Sequence, residues 1–376
     1  MIYLDHNAST PVDPEVADAV HSALRTNFGN PSSSHDIGMR AKTSIERARL
    51  QVAELIGATP EEVFFTSGGT ESNNLAIIGS AMKKKKGHII TSAIEHPSVM
   101  NTCRHLEGWG FECTYVRVDQ DGIVVMEDVR NALTKETFLI TLMHANNETG
   151  VFQPIEEIGA LAQQKGIFFH TDAAQTVGKV PVNVEKLHVD MLTIATHKFY
   201  GPKGIGALYV KKGLELRPLL FGAGHERGLR PGTENVPGIM GLGKACEMAV
   251  TSMKDRVSHT KKLSSMLYDL LAERIPGLRI NGHKTLRLPN TVNICIAGVD
   301  SLSLLEKIER SVAASSGSAC HAGERRPSSV LMAMGVSESD AMSSVRLSTG
   351  KDTTEEEIRE AADIIANAAQ SLAANL

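Results

Sequence analysis

The sequence predicts an α/β protein, with a large domain built on a mostly parallel sheet covered by helices and a smaller α+β domain after it. Three observations predict it. Between residues 63 and 210 short apolar runs alternate with segments of helical periodicity. Polar residues able to do chemistry gather just after those runs, where open α/β sheets bind ligands. Beyond about residue 255 the alternation gives way to long helices and isolated strands.

In chain order, the irregular Thr10-Pro11-Val12-Asp13-Pro14 leads into a short helix at 15–25, and Asn27 to Ser34, rich in Gly, Asn, Pro and Ser, reads as a loop. From Arg40 to Ile56 apolar residues recur at helical spacing until Gly57 stops the helix. Val63–Thr66 is a short strand running through Ser67-Gly68-Gly69-Thr70 into a helix with Leu75, Ile78 and Met82 on one face. Lys83 to Lys86 suit the negative end of that helix's dipole, so the charge run reads as a solvated helix end. Further strands are expected at 88–91, 113–118, 138–143, 167–171, 191–195 and 205–210, with helices at 97–108, 126–134 and 155–165. The last third should hold a helix over 260–275, strands near 291–296 and 345–348, and a final helix whose Thr353 and Glu356 have capping-box spacing.

With 376 residues, 42% of them hydrophobic, the chain can bury a large core, and one large plus one smaller domain is the natural expectation. A net charge of -4 argues against nucleic acid or an anionic membrane as partner. The first residues lack the basic and apolar regions of a signal peptide, and no apolar run approaches the roughly 20 residues of a membrane span. A soluble cytoplasmic protein is expected. The five cysteines form no CxxC pair and no zinc-type cluster, so no metal site is expected. Cys103, Cys113, Cys246 and Cys295 sit among apolar or helical residues as core fillers. Cys320 ends the small-residue stretch Ala313-Ala-Ser-Ser-Gly-Ser-Ala and precedes His321, Arg325 and Arg326, cationic neighbours that favour a reactive thiolate.

Three further stretches carry chemistry. Ser67-Gly68-Gly69-Thr70 joins a strand to a helix N-terminus, where free N–H groups and the dipole suit a single phosphate group. Asp172 lies at the end of an apolar strand, where a carboxylate is costly unless a cation meets it; a protonated pyridine nitrogen would serve, and capping of the next turn is the plainer alternative. Lys198 follows the run Met191–Ala195, where burial would leave a neutral amine able to form a Schiff base. A lone lysine there would ordinarily be solvated and inert. His96, Asn146 and Asn147 also follow strands, and the convergence of so many strand ends favours a site.

The stretches Tyr3-Leu-Asp-His-Asn-Ala-Ser-Thr-Pro, Gly29-Asn-Pro-Ser-Ser, Thr66-Ser-Gly-Gly-Thr-Glu-Ser, Glu95-His96, Ala145-Asn-Asn-Glu-Thr-Gly and Thr171-Asp-Ala-Ala-Gln carry a resemblance. It continues through Thr196-His-Lys-Phe-Tyr-Gly-Pro-Lys-Gly, His225-Glu-Arg-Gly-Leu-Arg-Pro-Gly-Thr-Glu-Asn, Ser315-Ser-Gly-Ser-Ala-Cys and Val345-Arg-Leu-Ser. Nearly end to end, the chain resembles the NifS/IscS-type cysteine desulfurases, pyridoxal phosphate enzymes of the aminotransferase-like fold type I in the class V aminotransferase family. The resemblance implies that Lys198 carries the cofactor and moves the Cα proton, that Asp172 keeps the pyridine nitrogen protonated, and that Gln175 bonds the ring hydroxyl. His96 would stack on the ring and take part in proton transfer. Gly69, Thr70 and His197 would bind the phosphate, with Thr233 reaching in from the partner of a homodimer. Thr196 is counted with the cofactor residues, although strand alternation points its hydroxyl elsewhere. Asn147 would lie near ring and substrate, and Arg346 would pair with the substrate carboxylate. Cys320 would be the nucleophile, on a mobile loop at about 315–330, taking sulfur from L-cysteine as a persulfide and meeting an iron–sulfur cluster only during transfer. Residues 13–255 would form the large cofactor domain, and 1–12 with 256–376 the small one. An iron–sulfur scaffold protein or another sulfur acceptor would be the partner. Ala195 departs from the pattern: relatives often have a phosphate-binding serine there. Selenocysteine lyase is the alternative activity; an aminotransferase would leave Cys320 unexplained, and a non-catalytic homologue would leave Lys198, Asp172, His96 and Cys320 without a use.

Overall fold

The structure, a computed structural model, describes residues 1–317, 319–321 and 324–374; the side chains of 318–325 lie outside the description. The chain opens with β1 (Ile2–Tyr3), α1 (Pro14–Thr26) and α2 (Asp36–Ile56). Then come β2 (Val63–Thr66), α3 (Gly69–Ala81), β3 (His88–Ser92), α4 (Pro97–Glu107) and β4 (Glu112–Val116). They are followed by α5 (Met126–Ala132), β5 (Thr137–Met143), α6 (Ile155–Lys165), β6 (Phe168–Asp172), β7 (Met191–Ala195) and β8 (Gly206–Val210). α7 (Val236–Arg274) leads to β9 (Arg279–Ile280), β10 (Thr291–Cys295), α8 (Ser301–Ile308), β11 (Val312–Ala313) and β12 (Ser315–Ser316). The hairpin β13 (Ala319–His321) and β14 (Glu324–Arg326) precedes α9 (Ser329–Ala333), α10 (Glu338–Met342), β15 (Ser344–Ser348) and α11 (Glu355–Ala373).

Seven strands form one sheet in the order β2-β8-β7-β6-β5-β3-β4. All neighbours are parallel except β8, which runs against both β7 and β2. The C-terminal ends of β2, β3, β5, β6 and β7 therefore open on one edge. Alternation divides each strand between two covered faces. Ile90, Ile140, Leu192 and Ile194 join residues of α2, α5 and α6 in one core, while Ile89, Leu139, Met191 and Leu208 join residues of α3 and α4 in another. A second sheet, β12-β15-β10-β9, with β1 paired to β11 beside it, shares a third core with Leu263, Leu267 and Leu271 of α7 and Ile358 and Ile365 of α11.

Two local expectations need correction. The helix expected at 260–275 begins at Val236 and runs 39 residues, so the change of character read near residue 255 falls inside one continuous helix. Its glycines hid it. A side chain at Gly241 would meet Val20 at 2.7 Å, and one at Gly243 would meet Ala48 at 2.7 Å, so these glycines serve close packing on α1 and α2 and not a turn. The capping box of α11 belongs to Thr354 and Glu357; the Thr353 hydroxyl instead accepts from the N–H of Gly350.

The His225-Glu-Arg motif has a structural use. Arg49 and Glu226, both buried, pair at 2.7 Å, and Glu226 also accepts from the N–H of Phe65 beside the phosphate-type turn. Removing Glu226 leaves the buried guanidinium with only the half-exposed Glu46 as its ionic partner. Glu226→Ala is expected to lower unfolding free energy by about 3–5 kcal/mol in denaturant titration.

Candidate active site

The strand ends gathered on one edge deliver their side chains into one cavity of about 310 Å³. β2 brings Gly69 and Thr70; β3 leads to His96; β5 to Asn147; β6 to Asp172 and Gln175; β7 to His197 and Lys198. Arg346 enters from β15 of the second sheet.

Lys198 is half-buried, and its Nζ donates to the backbone carbonyls of Asn7 (2.8 Å) and Ala8 (2.9 Å). Burial first, and Arg346 next, push its pKa down from 10.5 to about 8, against the opposing pull of Asp172 and Asp5. At pH 7 this raises the neutral fraction from roughly 0.03% to roughly 10%. Asp172 accepts from Asn73 Nδ2 (2.7 Å) and from the N–H of Ala174 (3.0 Å). No ammonium or guanidinium among the described residues pairs with it, so a buried carboxylate faces the cavity with its charge open to a ligand. The Ala174 bond is a turn cap, the plainer of its two sequence readings, and the residue lines the cavity as well.

The phosphate-type end is built by backbone. Gly68 lies at φ +149°, and α3 starts after it with no side-chain cap, which leaves first-turn N–H groups facing outward. A Cβ on Gly206 of β8 would stand 2.7 Å from the Cα of Gly68, so the strand can approach this turn only as glycine. Ala195 lines the cavity beside Gly69, its Cβ 3.4 Å from where a Gly69 side chain would begin. A hydroxyl there would add a donor to the anion site. Ala195→Ser is expected to tighten pyridoxal phosphate about threefold to tenfold in equilibrium titration.

His96 caps α4 and accepts at Nδ1 from the N–H of Ser98 (3.1 Å), which leaves the proton of the neutral ring on Nε2. Burial, and secondarily Lys198, lower its pKa against Asp172, so the neutral ring prevails. His197 is pushed to about 4 by burial and by Lys198, Lys203 and Lys179. Arg346 donates through Nη2 to Asp5 (2.7 Å) and through Nη1 to the carbonyl of Asn147 (2.9 Å), while its buried Nε has no partner among the described residues. Part of the fork expected to be open is thus held by the chain.

An anion-binding turn, a buried carboxylate, a lysine poised near neutrality and an unsatisfied guanidinium N–H fit pyridoxal phosphate with an amino-acid carboxylate beside it. Two expected residues stand apart. Thr196 is fully buried, with its hydroxyl unpartnered and outside the cavity wall. Thr233 is exposed and does not line the cavity of its own chain. Cys320 pairs in backbone register with Arg325 across the hairpin, and its thiol lies outside the described residues. Sequence reasoning missed Asn7, Asp5, Asn73 and Lys179. Asn7 is fully buried and joins Lys198 through its carbonyl, Thr291 through its amide and Ser348 through its N–H. Asn7 and Asp5 lie in a quoted motif, but their partners are up to 341 residues away, and no local period could reveal that.

A model of the class-V aminotransferase family matches residues 2–360. The chain is 46% identical to the cysteine desulfurase IscS of Dictyoglomus turgidum, over 97% of this chain and 93% of that protein. It is 46% identical to the cysteine desulfurase IscS of Methanosarcina thermophila, over 99% of this chain and 92% of that one. Among solved structures, a NifS-like protein superposes with a TM-score of 0.93 at 38% identity, covering 99% of this chain and 100% of that chain. The NifS-like protein from Rickettsia africae superposes at 0.90 with 34% identity, covering 98% and 99%. The chain therefore belongs to the class-V aminotransferase family, with the aminotransferase-like fold, in its NifS/IscS-type cysteine desulfurase branch.

Proposed function

We propose that this protein is a pyridoxal phosphate-dependent cysteine desulfurase, which converts L-cysteine and the Cys320 thiol into L-alanine and a Cys320 persulfide. The observation that carries the reading is the convergence of Lys198, Asp172, His96 and Arg346 on one cavity closed at one end by the α3 N-terminus. Bound there, pyridoxal phosphate supplies an electron sink for charge developing at the substrate Cα. Lys198 Nζ removes the Cα proton and later returns one. Asp172 would meet the pyridine nitrogen and keep it protonated. The Nε2–H of His96 is a donor toward the departing group, and Arg346, in the cavity wall, would pair with the substrate carboxylate. Asn147 would lie beside ring and substrate, and Gly69, Thr70 and His197 would hold the phosphate.

The relatives named above are cysteine desulfurases, which favours cysteine over selenocysteine as substrate. With an added dithiol to reduce the persulfide and release its outer sulfur, sulfide and alanine in equal amounts from L-cysteine are the expected result, and negligible turnover of L-cysteine beside rapid turnover of L-selenocysteine would reverse the reading. Uptake of pyridoxal phosphate should accelerate with pH and level off above about 8, since the lowered pKa means Lys198 becomes neutral as pH rises through that value. A rate of uptake flat with pH from about 6 to 9 would remove Lys198 from this role.

A homodimer is supported by Leu220 (51% exposed) and Phe221 (83% exposed), apolar residues close in sequence to Thr233, which would complete the partner's phosphate site. The reading of 1–12 with 256–376 as a small domain is supported by Ile2 and Leu4 sharing a core with Leu263 to Ala369, although Val330 to Ala341 pack with the larger one. A cytoplasmic setting is part of the same reading; among the described residues no helix is long and apolar enough to cross a membrane. The sulfur acceptor is read as an iron–sulfur scaffold or another sulfur-accepting protein.

A further inference from the structure

Behind the cavity stands a second lysine for which the reaction has no use. Lys179 is half-buried as a residue, but its amine turns inward and donates to Asn7 Oδ1 (2.9 Å) and Gln175 Oε1 (2.8 Å). Gln175, buried against the cavity, also donates from Nε2 to the carbonyl of Asn7 at 3.0 Å. A carbonyl can only accept, so this bond fixes which end of the amide is nitrogen. Lys179 then satisfies the oxygen end. The amide has one N–H left, no second acceptor for it among the described residues, and a place in the cavity wall.

We propose that Lys179 is a positioning residue that locks the Gln175 amide so that its remaining N–H is presented to the cavity as a donor for the anionic ring oxygen of bound pyridoxal phosphate. The proposal rests on the reading of this cavity as a pyridoxal phosphate site. Asn7 Oδ1 keeps a second donor, Asn290 Nδ2 at 3.1 Å, if Lys179 is removed. Gln175 Oε1 keeps none among the described residues. The effect of losing Lys179 therefore falls on Gln175, whose amide gains by rotating its N–H groups away from the cavity to find other partners. The same carbonyl of Asn7 receives Lys198 Nζ, so Gln175 and Lys198 are registered against one atom.

The test compares Lys179→Met, Gln175→Ala and the double variant, by titrating each apoprotein with pyridoxal phosphate and recording the spectrum of the bound cofactor. Lys179→Met is expected to weaken cofactor binding about tenfold and to move intensity from the visible band to the near-ultraviolet band, as the ring oxygen loses its donor. Gln175→Ala should do the same, and the double variant should lose no more than Gln175→Ala alone. Lys179→Gln, which keeps a shorter donor, should fall between parent and Lys179→Met, and it replaces the latter if that variant does not fold. A Lys179 variant with the parent's affinity and spectrum, or losses that multiply in the double variant, would overturn the proposal. A parent protein that binds no pyridoxal phosphate would instead overturn the reading beneath it.

Discussion

Lys198→Ala is expected to cut L-cysteine turnover roughly 10⁴-fold or more and to leave any bound pyridoxal phosphate removable by dialysis. Two functions are lost together. On the proposed mechanism the amine that anchors the cofactor disappears, and so does the base at Cα, since no other lysine lines this cavity among the described residues. Lys179 cannot stand in for it: its amine is committed to Asn7 and Gln175, and burial, Lys198 and Arg346 hold its pKa well below the ordinary lysine value. Absorbance before and after dialysis separates the two losses. A variant that retains a cofactor band through dialysis, or turns over L-cysteine within about tenfold of the parent, would contradict the assignment.

Cys320→Ala is expected to reduce turnover to below about a thousandth of the parent while leaving cofactor binding unchanged, because in the proposed reaction the thiol accepts the transferred sulfur. The other four cysteines offer no substitute. Cys103, Cys246 and Cys295 are buried, and burial raises the pKa of Cys246 and Cys295. Cys103 is raised first by its bond to Cys113 and then by burial, and the Cys113 thiol points at the carbonyl of Cys103 at 3.6 Å. The raised thiols of Cys103, Cys246 and Cys295 form little thiolate. Mass spectrometry of the protein after one turnover reads the persulfide directly; a persulfide still present in the variant would place the acceptor elsewhere.

The large sheet was legible because its strands are short, apolar and followed by glycine or helix, and the phosphate-type turn because Gly68 and Gly69 sit at a strand-to-helix junction. Lys198, Asp172 and His96 could be read as strand-end polar residues. What could not be read is what holds them. Asn73 orients Asp172 from the middle of a helix face, Asp5 engages Arg346 across 341 residues, and Lys179 lies in an unremarkable turn after β6. Each of these depends on two distant segments meeting, which periodicity does not encode. The start of α7 failed for the opposite reason: its glycines look like breakers in one dimension and are contact points in three.

The N-terminal segment sets a timetable for the enzyme's birth. Ile2 pairs with Val312, and the Asn7 N–H finds its acceptor on Ser348, yet the carbonyls of Asn7 and Ala8 are what hold Lys198. On a ribosome adding roughly 5–20 residues per second, the first residues must wait on the order of half a minute for those partners to be made. The seven-stranded sheet can assemble in that interval; the seat of the lysine amine cannot. Cofactor capture therefore follows synthesis of Ser348, and a newly made large sheet passes through a stage in which its open edge is formed but still lacks its floor.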